Sequence, residues 1–130
     1  TREDILSFIE RHLWFINLSP RGGDFDVLSD TKINTAGAQK LADAAIGTWD
    51  AIQKMDFKLF GRYFRESFEA QISMFPKMVN KQILNTINHY KASATGWKIS
   101  GAGGGGYLVL VSEKPVDNAM QIKIRRGSVN

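Results

Sequence analysis

Apolar residues recur every three to four positions through the middle of the chain, and this period predicts three consecutive helices. The first covers 36–54, the second follows the candidate N-cap Asp56 and ends before Pro76, and the third runs from about Met78 to its predicted terminator, Gly96. Their apolar stripes are, in order, Ala38, Leu41, Ala45, Trp49 and Ile52; Phe57, Phe60, Tyr63 or Phe64, Phe68, Ile72 and Phe75; and Val79, Ile83, Ile87 and Tyr90.

Strand patterns flank this helical region. Residues 13–16 form a continuous aromatic and branched run, while the weak pattern at 2–11 predicts no more than a short turn of helix. Residues 97–100 and 107–112 are strand candidates, and alternation at 120–125 predicts a half-exposed edge strand. Segregated helices and strands predict an α+β domain, with a ferredoxin-like, antiparallel or mixed sheet of about four strands packed against three helices.

Composition narrows the class of protein. The chain has 130 residues, a formal net charge of +4 and no cysteine, and 43% of its residues are hydrophobic. These values predict one domain over 1–130 and exclude thiolate catalysis and cysteine-ligated metal sites. No apolar run approaches the length of a membrane span, so no membrane partner is expected.

Other candidate chemistry is weak. Asp24, Asp26 and Asp30 lack the glycine and distal glutamate of a calcium loop, and a solvated turn is the better interpretation. His12 and His89 lie far apart in the sequence without a nearby cysteine or second histidine. We therefore expect neither a metal site nor a catalytic residue among these side chains.

The glycines are unevenly distributed: six of the twelve fall between Gly96 and Gly106. Gly101, Gly103 and Gly106 have dinucleotide-loop spacing, but a strand rather than a helix follows them, and Tyr107 replaces the Gly-Lys-Ser/Thr ending of a Walker A loop. Glycines can simply form a tight strand connection, or they can allow close backbone packing and an anion-holding concavity. So many glycines carry a large entropy cost, which favours a packing or ligand role.

Residues 98–106, Lys-Ile-Ser-Gly-Ala-Gly-Gly-Gly-Gly, resemble the third signature motif of the GHMP kinases. Within this galactokinase-related family, the sequence of residues 98–106 is most similar to the motif of the fucose and heptose-phosphate kinases. The resemblance to the family's C-terminal domain covers essentially the whole chain. The resemblance implies phosphorylation, using ATP and Mg²⁺, of a sugar or sugar phosphate such as fucose, heptose phosphate or galactose, at a site between two domains.

The resemblance also implies site residues. A loop for the nucleotide or the substrate phosphate would consist of Gly101, Ala102, Gly103, Gly104, Gly105 and Gly106. Lys98 and Ser100 would support it. By position, Ser19, Arg21 and Gly22 match a segment that reaches toward the sugar.

The family's first motif and its Gly-Leu-Gly-Ser-Ser-Ala phosphate loop are absent from this sequence. The resemblance therefore implies a C-terminal domain whose own N-terminal kinase domain is missing from this chain. That missing domain would hold most of the ATP and Mg²⁺ and the catalytic groups. We expect the 130 residues alone to be inactive, and the enzyme to be cytoplasmic.

Two alternatives belong to other classes of protein. One is a non-catalytic small-ligand domain. The other is a nucleic-acid binding module that uses the basic end Lys123, Arg125 and Arg126, with an affinity that falls steeply with salt. No interleaving of aromatic and basic residues on a strand supports the second, so no nucleic-acid partner is expected.

Overall fold

Four α-helices and a four-stranded antiparallel sheet make up the part of the chain that the computed structural model describes, residues 1–18, 31–100 and 106–126. The helices are α1 (Arg2–His12), α2 (Thr35–Gln53), α3 (Phe57–Met74) and α4 (Lys81–Tyr90). The strands are β1 (Leu13–Asn17), β2 (Gly96–Ser100), β3 (Tyr107–Val111) and β4 (Met120–Gln121). The predicted α+β class is confirmed.

The prediction of a mere turn at 2–11 was wrong, because this segment forms the 11-residue helix α1 and raises the number of helices to four. Its start is fixed by a capping box, in which the Thr1 hydroxyl accepts from the Asp4 backbone N–H at 3.1 Å and the Asp4 carboxylate accepts from the Thr1 amino group. Acidic residues in the first turn and basic ones in the last complement the helix dipole. Phe8 anchors the helix in the core.

The limits of the other helices follow from their caps. The predicted N-cap Asp56 is confirmed, since its carboxylate accepts from the backbone N–H of Leu59 at 3.1 Å. Asn80 caps α4 in the same way. Gly96 was wrongly predicted as the terminator of that helix: α4 ends at Tyr90, and Gly96 is the first residue of β2.

The sheet has the order β2-β3-β1-β4, and every pairing in it is antiparallel. The central strands β1 and β3 pair from Leu13 with Val111 to Asn17 with Tyr107. The predicted edge strand is confirmed in β4, which is only two residues long, although Ile122 still donates its N–H to the carbonyl of Leu13 at 3.2 Å.

Two apolar clusters form the core. The larger one joins one face of the sheet, including Leu108 and Leu110, to Ile83 and Ile87 of α4. The smaller one gathers the residues Phe8, Ala51, Phe60 and Val111. The predicted apolar stripes of α3 and α4 supply five of the buried residues in these clusters: Phe60, Phe68, Ile83, Ile87 and Tyr90.

The buried face of α2 differs from its predicted stripe. Trp49 is 58% exposed, and the buried residues are instead Gly37, Ala44 and Ala51. Small residues are needed there because bulky side chains of α3 come close: a Cβ atom on Gly47 would lie 2.5 Å from the ring of Tyr63. No helix in the described ranges is both long and apolar enough to span a membrane.

Candidate functional site

The described residues that adjoin the two predicted loops meet at one end of the sheet. Leu18, the last described residue before 19–30, donates its backbone N–H to the carbonyl of Gly106 at 2.9 Å. Ser100 and Gly106 border 101–105, and Ser100 pairs with Tyr107. The structure thus places the borders of the glycine segment and of the candidate substrate segment next to each other, although they are about 80 residues apart in sequence.

Three of the predicted site residues lie in the described part of the chain: Lys98, Ser100 and Gly106. The remaining predicted residues lie outside the described residues, and they are Ser19, Arg21, Gly22, Gly101, Ala102, Gly103, Gly104 and Gly105.

Gly106 has a backbone φ of 117°, a value that side-chain-bearing residues rarely adopt. This conformation turns the chain into β3 and directs the Gly106 carbonyl at the N–H of Leu18. A glycine is therefore required at this position by the backbone itself.

Lys98 is half-buried, and its ammonium donates a 2.7 Å hydrogen bond to the hydroxyl of Ser67 in α3. Burial lowers the pKa of Lys98 below its ordinary value. Within residues 1–18, 31–100 and 106–126, no carboxylate lies within 4.0 Å of this ammonium. Its hydrogen bond to the Ser67 hydroxyl thus links β2 to α3 two residues before Ser100.

Ser67 is a contributor that sequence reasoning missed. It is 3% exposed and lies beside Phe68 in the apolar face of α3. A small hydroxyl residue among large aromatic ones was the available signal, but the identity of its partner depends on how α3 packs against β2.

Two further residues that sequence reasoning missed, Asn17 and Tyr107, lie on the surface at the same end of the sheet, next to the predicted Ser100. Asn17, Tyr107 and Ser100 stand opposite one another on three adjacent strands, and all three are exposed. The ring of Tyr107 meets that of Phe15 at 5.2 Å in an edge-to-face arrangement. These residues surround the point where the glycine segment joins the sheet.

The described residues do not fit a metal ion. No group of three His, Cys, Asp or Glu side chains within them could hold one. His12 is instead packed between the rings of Phe8 and Phe57, with its Nδ1 2.7 Å from the carbonyl of Phe8. No step can therefore be assigned to Mg²⁺ on these residues.

The basic C-terminal end is partly neutralised. The guanidinium of Arg126 contacts the carboxylates of Glu3 and Glu10 at 2.7 and 2.6 Å, and the N–H of Ile124 donates to Glu10 at 2.7 Å. The hydrogen bond from Arg126 is the main cause that lowers the pKa of both carboxyls. An arginine held in this way is a poor contact for nucleic-acid phosphates.

A groove of about 430 Å³ lies between α2 and α3 and includes Lys40, Asp43, Tyr63, Glu66 and Glu69 in its walls. Lys98, Ser100 and Gly106, the predicted site residues that the structure describes, are not among its lining residues.

Comparison with solved structures identifies the fold. The chain is similar to the crystal structure of a D-glycero-D-manno-heptose 1-phosphate kinase from Bacteroides thetaiotaomicron, with a TM-score of 0.53 and 21% sequence identity. The match covers 85% of this chain and 28% of that kinase. The described part of the chain shares the α+β fold of a part of that kinase, as the resemblance of residues 98–106 to the GHMP kinases predicts.

The resemblance carried by residues 98–106 is thereby confirmed at the level of the fold. The chain spans little more than a quarter of the length of the kinase that it matches. No protein-family model matches the sequence, and no curated protein matches it.

Proposed function

We propose that this chain is the C-terminal part of an ATP-dependent sugar kinase. The observation that carries the proposal is the coincidence of the signature at 98–106 with a fold shared by a heptose-phosphate kinase. The reaction moves the γ-phosphoryl group of ATP to a hydroxyl oxygen of a sugar or sugar phosphate. The bond to the leaving ADP oxygen breaks, and the hydroxyl proton passes to a base outside this chain.

The glycine segment contributes positioning to this reaction. Phosphoryl transfer depends mainly on alignment and on stabilising the charge of the phosphoryl oxygens, and successive backbone N–H groups without Cβ atoms can approach phosphate closely. We assign this role to Gly101, Ala102, Gly103, Gly104 and Gly105. Mg²⁺, held mainly by another domain, neutralises charge on the ATP phosphates when bound.

Lys98 has a supporting role in this proposal. Its hydrogen bond to Ser67 ties β2 to α3 two residues before Ser100, which borders the glycine segment in sequence, and its ammonium adds a positive charge on that strand. Both effects favour an anionic ligand at this end of the sheet. Ser19, Arg21 and Gly22, which follow Leu18 in sequence, are proposed to contact the sugar; the support for this is the hydrogen bond between Leu18 and Gly106.

The proposed substrates are a heptose phosphate, fucose or galactose. The similar solved structure is named for heptose 1-phosphate, which makes a phosphorylated heptose the first compound to assay. We further propose that an N-terminal domain, encoded upstream of Thr1, supplies a Gly-Leu-Gly-Ser-Ser-Ala-like loop and the catalytic groups, and that the enzyme acts in the cytoplasm.

The test is a kinase assay on the full-length protein that contains this chain. ADP release is followed with ATP, Mg²⁺ and each of D-glycero-D-manno-heptose 1-phosphate, L-fucose and D-galactose. Turnover of one sugar well above the ATPase background supports the proposal. Background ADP release with all three sugars, together with no phosphate-loop sequence upstream, would refute it.

A further inference from the structure

The three exposed residues at the end of the sheet form a regular row. Tyr107 on the central strand β3 is directly opposite Asn17 of β1 on one side and Ser100 of β2 on the other. Residues directly opposite on antiparallel strands project from the same face of the sheet. The sheet-end row, Asn17–Tyr107–Ser100, therefore places an aromatic ring between an amide and a hydroxyl.

The neighbouring residues show which way the row faces. Ile16, Leu108 and Ile99 alternate with the row along the three strands, and they belong to the core cluster that contains α4. Leu108 is completely buried. Because side chains alternate along a strand, the row projects from the opposite face, where Tyr107 keeps 41% of its surface exposed.

The ring of Tyr107 is held rather than loose. Phe15, two residues from Asn17 and on the same face, meets it edge to face with an interplanar angle of 75°. Such contacts favour one ring orientation and leave the rest of the ring accessible. A preorganised aromatic surface loses less entropy on binding than a mobile one.

We propose that the sheet-end row binds the sugar ring of the substrate, with Tyr107 under an apolar C–H face and Asn17 and Ser100 bonded to hydroxyl groups at its edges. This inference rests on the proposed kinase function. Adjacent strands are about 4.8 Å apart, so the flanking groups lie close to the rim of a sugar stacked on the central ring. Amide and hydroxyl groups both donate and accept, as sugar hydroxyls require.

The position of the row supports the same occupant. Ser100 and Gly106 border the glycine segment to which we assign phosphate positioning, and Tyr107 follows it directly. A sugar on the row would thus lie beside the segment that we propose positions the phosphoryl group, which one of the sugar hydroxyls receives. The adenine base of ATP could also stack on an aromatic ring, and the experiment separates these two ligands.

The experiment compares Tyr107→Ala, Tyr107→Phe and Asn17→Ala in the full-length protein, with Met120→Ala as the matched control. Met120 is 49% exposed on the same sheet face, opposite Phe15, but lies outside the row. The KM for the sugar is measured at saturating ATP, and the KM for ATP at saturating sugar. We expect Tyr107→Ala to raise the sugar KM roughly tenfold with little change in the ATP KM, and Tyr107→Phe to restore most of the affinity.

A smaller rise is expected for Asn17→Ala and none for Met120→Ala. If the sugar KM were unchanged in both Tyr107→Ala and Asn17→Ala, the proposal that the row binds the sugar would be refuted, while the proposed kinase function would be unaffected. A rise confined to the ATP KM would assign the row to the nucleotide and also overturn the inference.

A second measurement separates the row from the kinase function. The 130-residue chain is titrated with each of the three sugars and with ATP, and backbone amide shifts are followed by NMR. Sugar-dependent shifts at Asn17, Ser100 and Tyr107 would support the row, and they would do so even if the full-length protein turned over none of the three sugars and the kinase function were refuted. If only ATP, or none of the compounds, shifted the signals of these residues, the proposal that the row binds the sugar would be refuted.

Discussion

Gly96, the first residue of β2, lies against the backbone of Gly61 in α3. A Cβ atom on Gly96 would overlap the Gly61 carbonyl oxygen and come within 2.8 Å of its Cα. Two glycines are thus what allow the helix to approach the strand so closely. The same approach brings Ser67, further along α3, within hydrogen-bonding distance of Lys98 on β2.

Gly96→Ala is predicted to destabilise the domain by roughly 1–3 kcal/mol, because backbone atoms cannot move aside as a side chain can. Gly47→Ala is the comparison: its added Cβ would lie 2.5 Å from the ring of Tyr63, which is a side chain that can rotate, and alanine favours the helix, so we expect a smaller loss than for Gly96→Ala. Urea unfolding of both variants tests this. Equal stability of Gly96→Ala and wild type would show that the contact is not as close as described.

Ser67→Ala is predicted to lower the free energy of unfolding by about 1 kcal/mol, since it removes the hydrogen bond that partly compensates the burial of Lys98. Lys98→Met should cost less, because it also removes the desolvated charge. Chemical denaturation gives both values. A larger loss for Lys98→Met than for Ser67→Ala would contradict this order.

The pKa of Lys98 gives this pair a dependence on pH. Burial lowers the pKa of Lys98 in the folded state. Between the folded and the unfolded pKa, the unfolded chain therefore binds more protons than the folded chain. Over this interval the contribution of Lys98 to the free energy of unfolding rises with pH. The stability of wild type relative to Lys98→Met should therefore increase as the pH rises through this interval. A difference that falls over the same alkaline range would have the wrong sign.

The contacts of Arg126 with Glu3 and Glu10 predict an acid-sensitive attachment of the C-terminal segment to α1. Both carboxyl pKa values are lowered in the fold, so their stabilisation is present above the ordinary pKa of a glutamate and is lost as pH falls through the folded values. Arg126→Ala should be less stable than wild type at neutral pH and equal to it once both carboxylates are protonated. Urea midpoints over this range, with Arg125→Ala as control, test this; a pH-independent difference would argue against it.

The regular three- to four-residue spacing of large apolar side chains made α3 and α4 predictable from sequence, because those side chains can be buried together on only one face of a helix. The face of α2 was not predictable in the same way. Alanines occur on two sides of that helix, and the choice between them is made by the bulk of Tyr63 and Met74 in its neighbour. The length of α1 depended on a capping box that a short apolar pattern did not reveal.

The motif at 98–106 could be identified from sequence because it is contiguous. Ser67, Asn17 and Tyr107 could not be assigned to the same region, because strand register and helix packing bring them there from distant segments. The meeting of Leu18 with Gly106 is likewise a product of the pairing of β1 with β3.

The central proposal is that this domain supplies the phosphate-positioning segment of a kinase. Its most direct test is to measure sugar phosphorylation by the full-length protein that carries Gly104→Val. We expect wild type to phosphorylate one of the three sugars, the 130-residue chain alone to phosphorylate none, and Gly104→Val to lose at least about a hundredfold in kcat with an unchanged melting temperature. Full activity in Gly104→Val, or phosphorylation by the isolated chain, would contradict it.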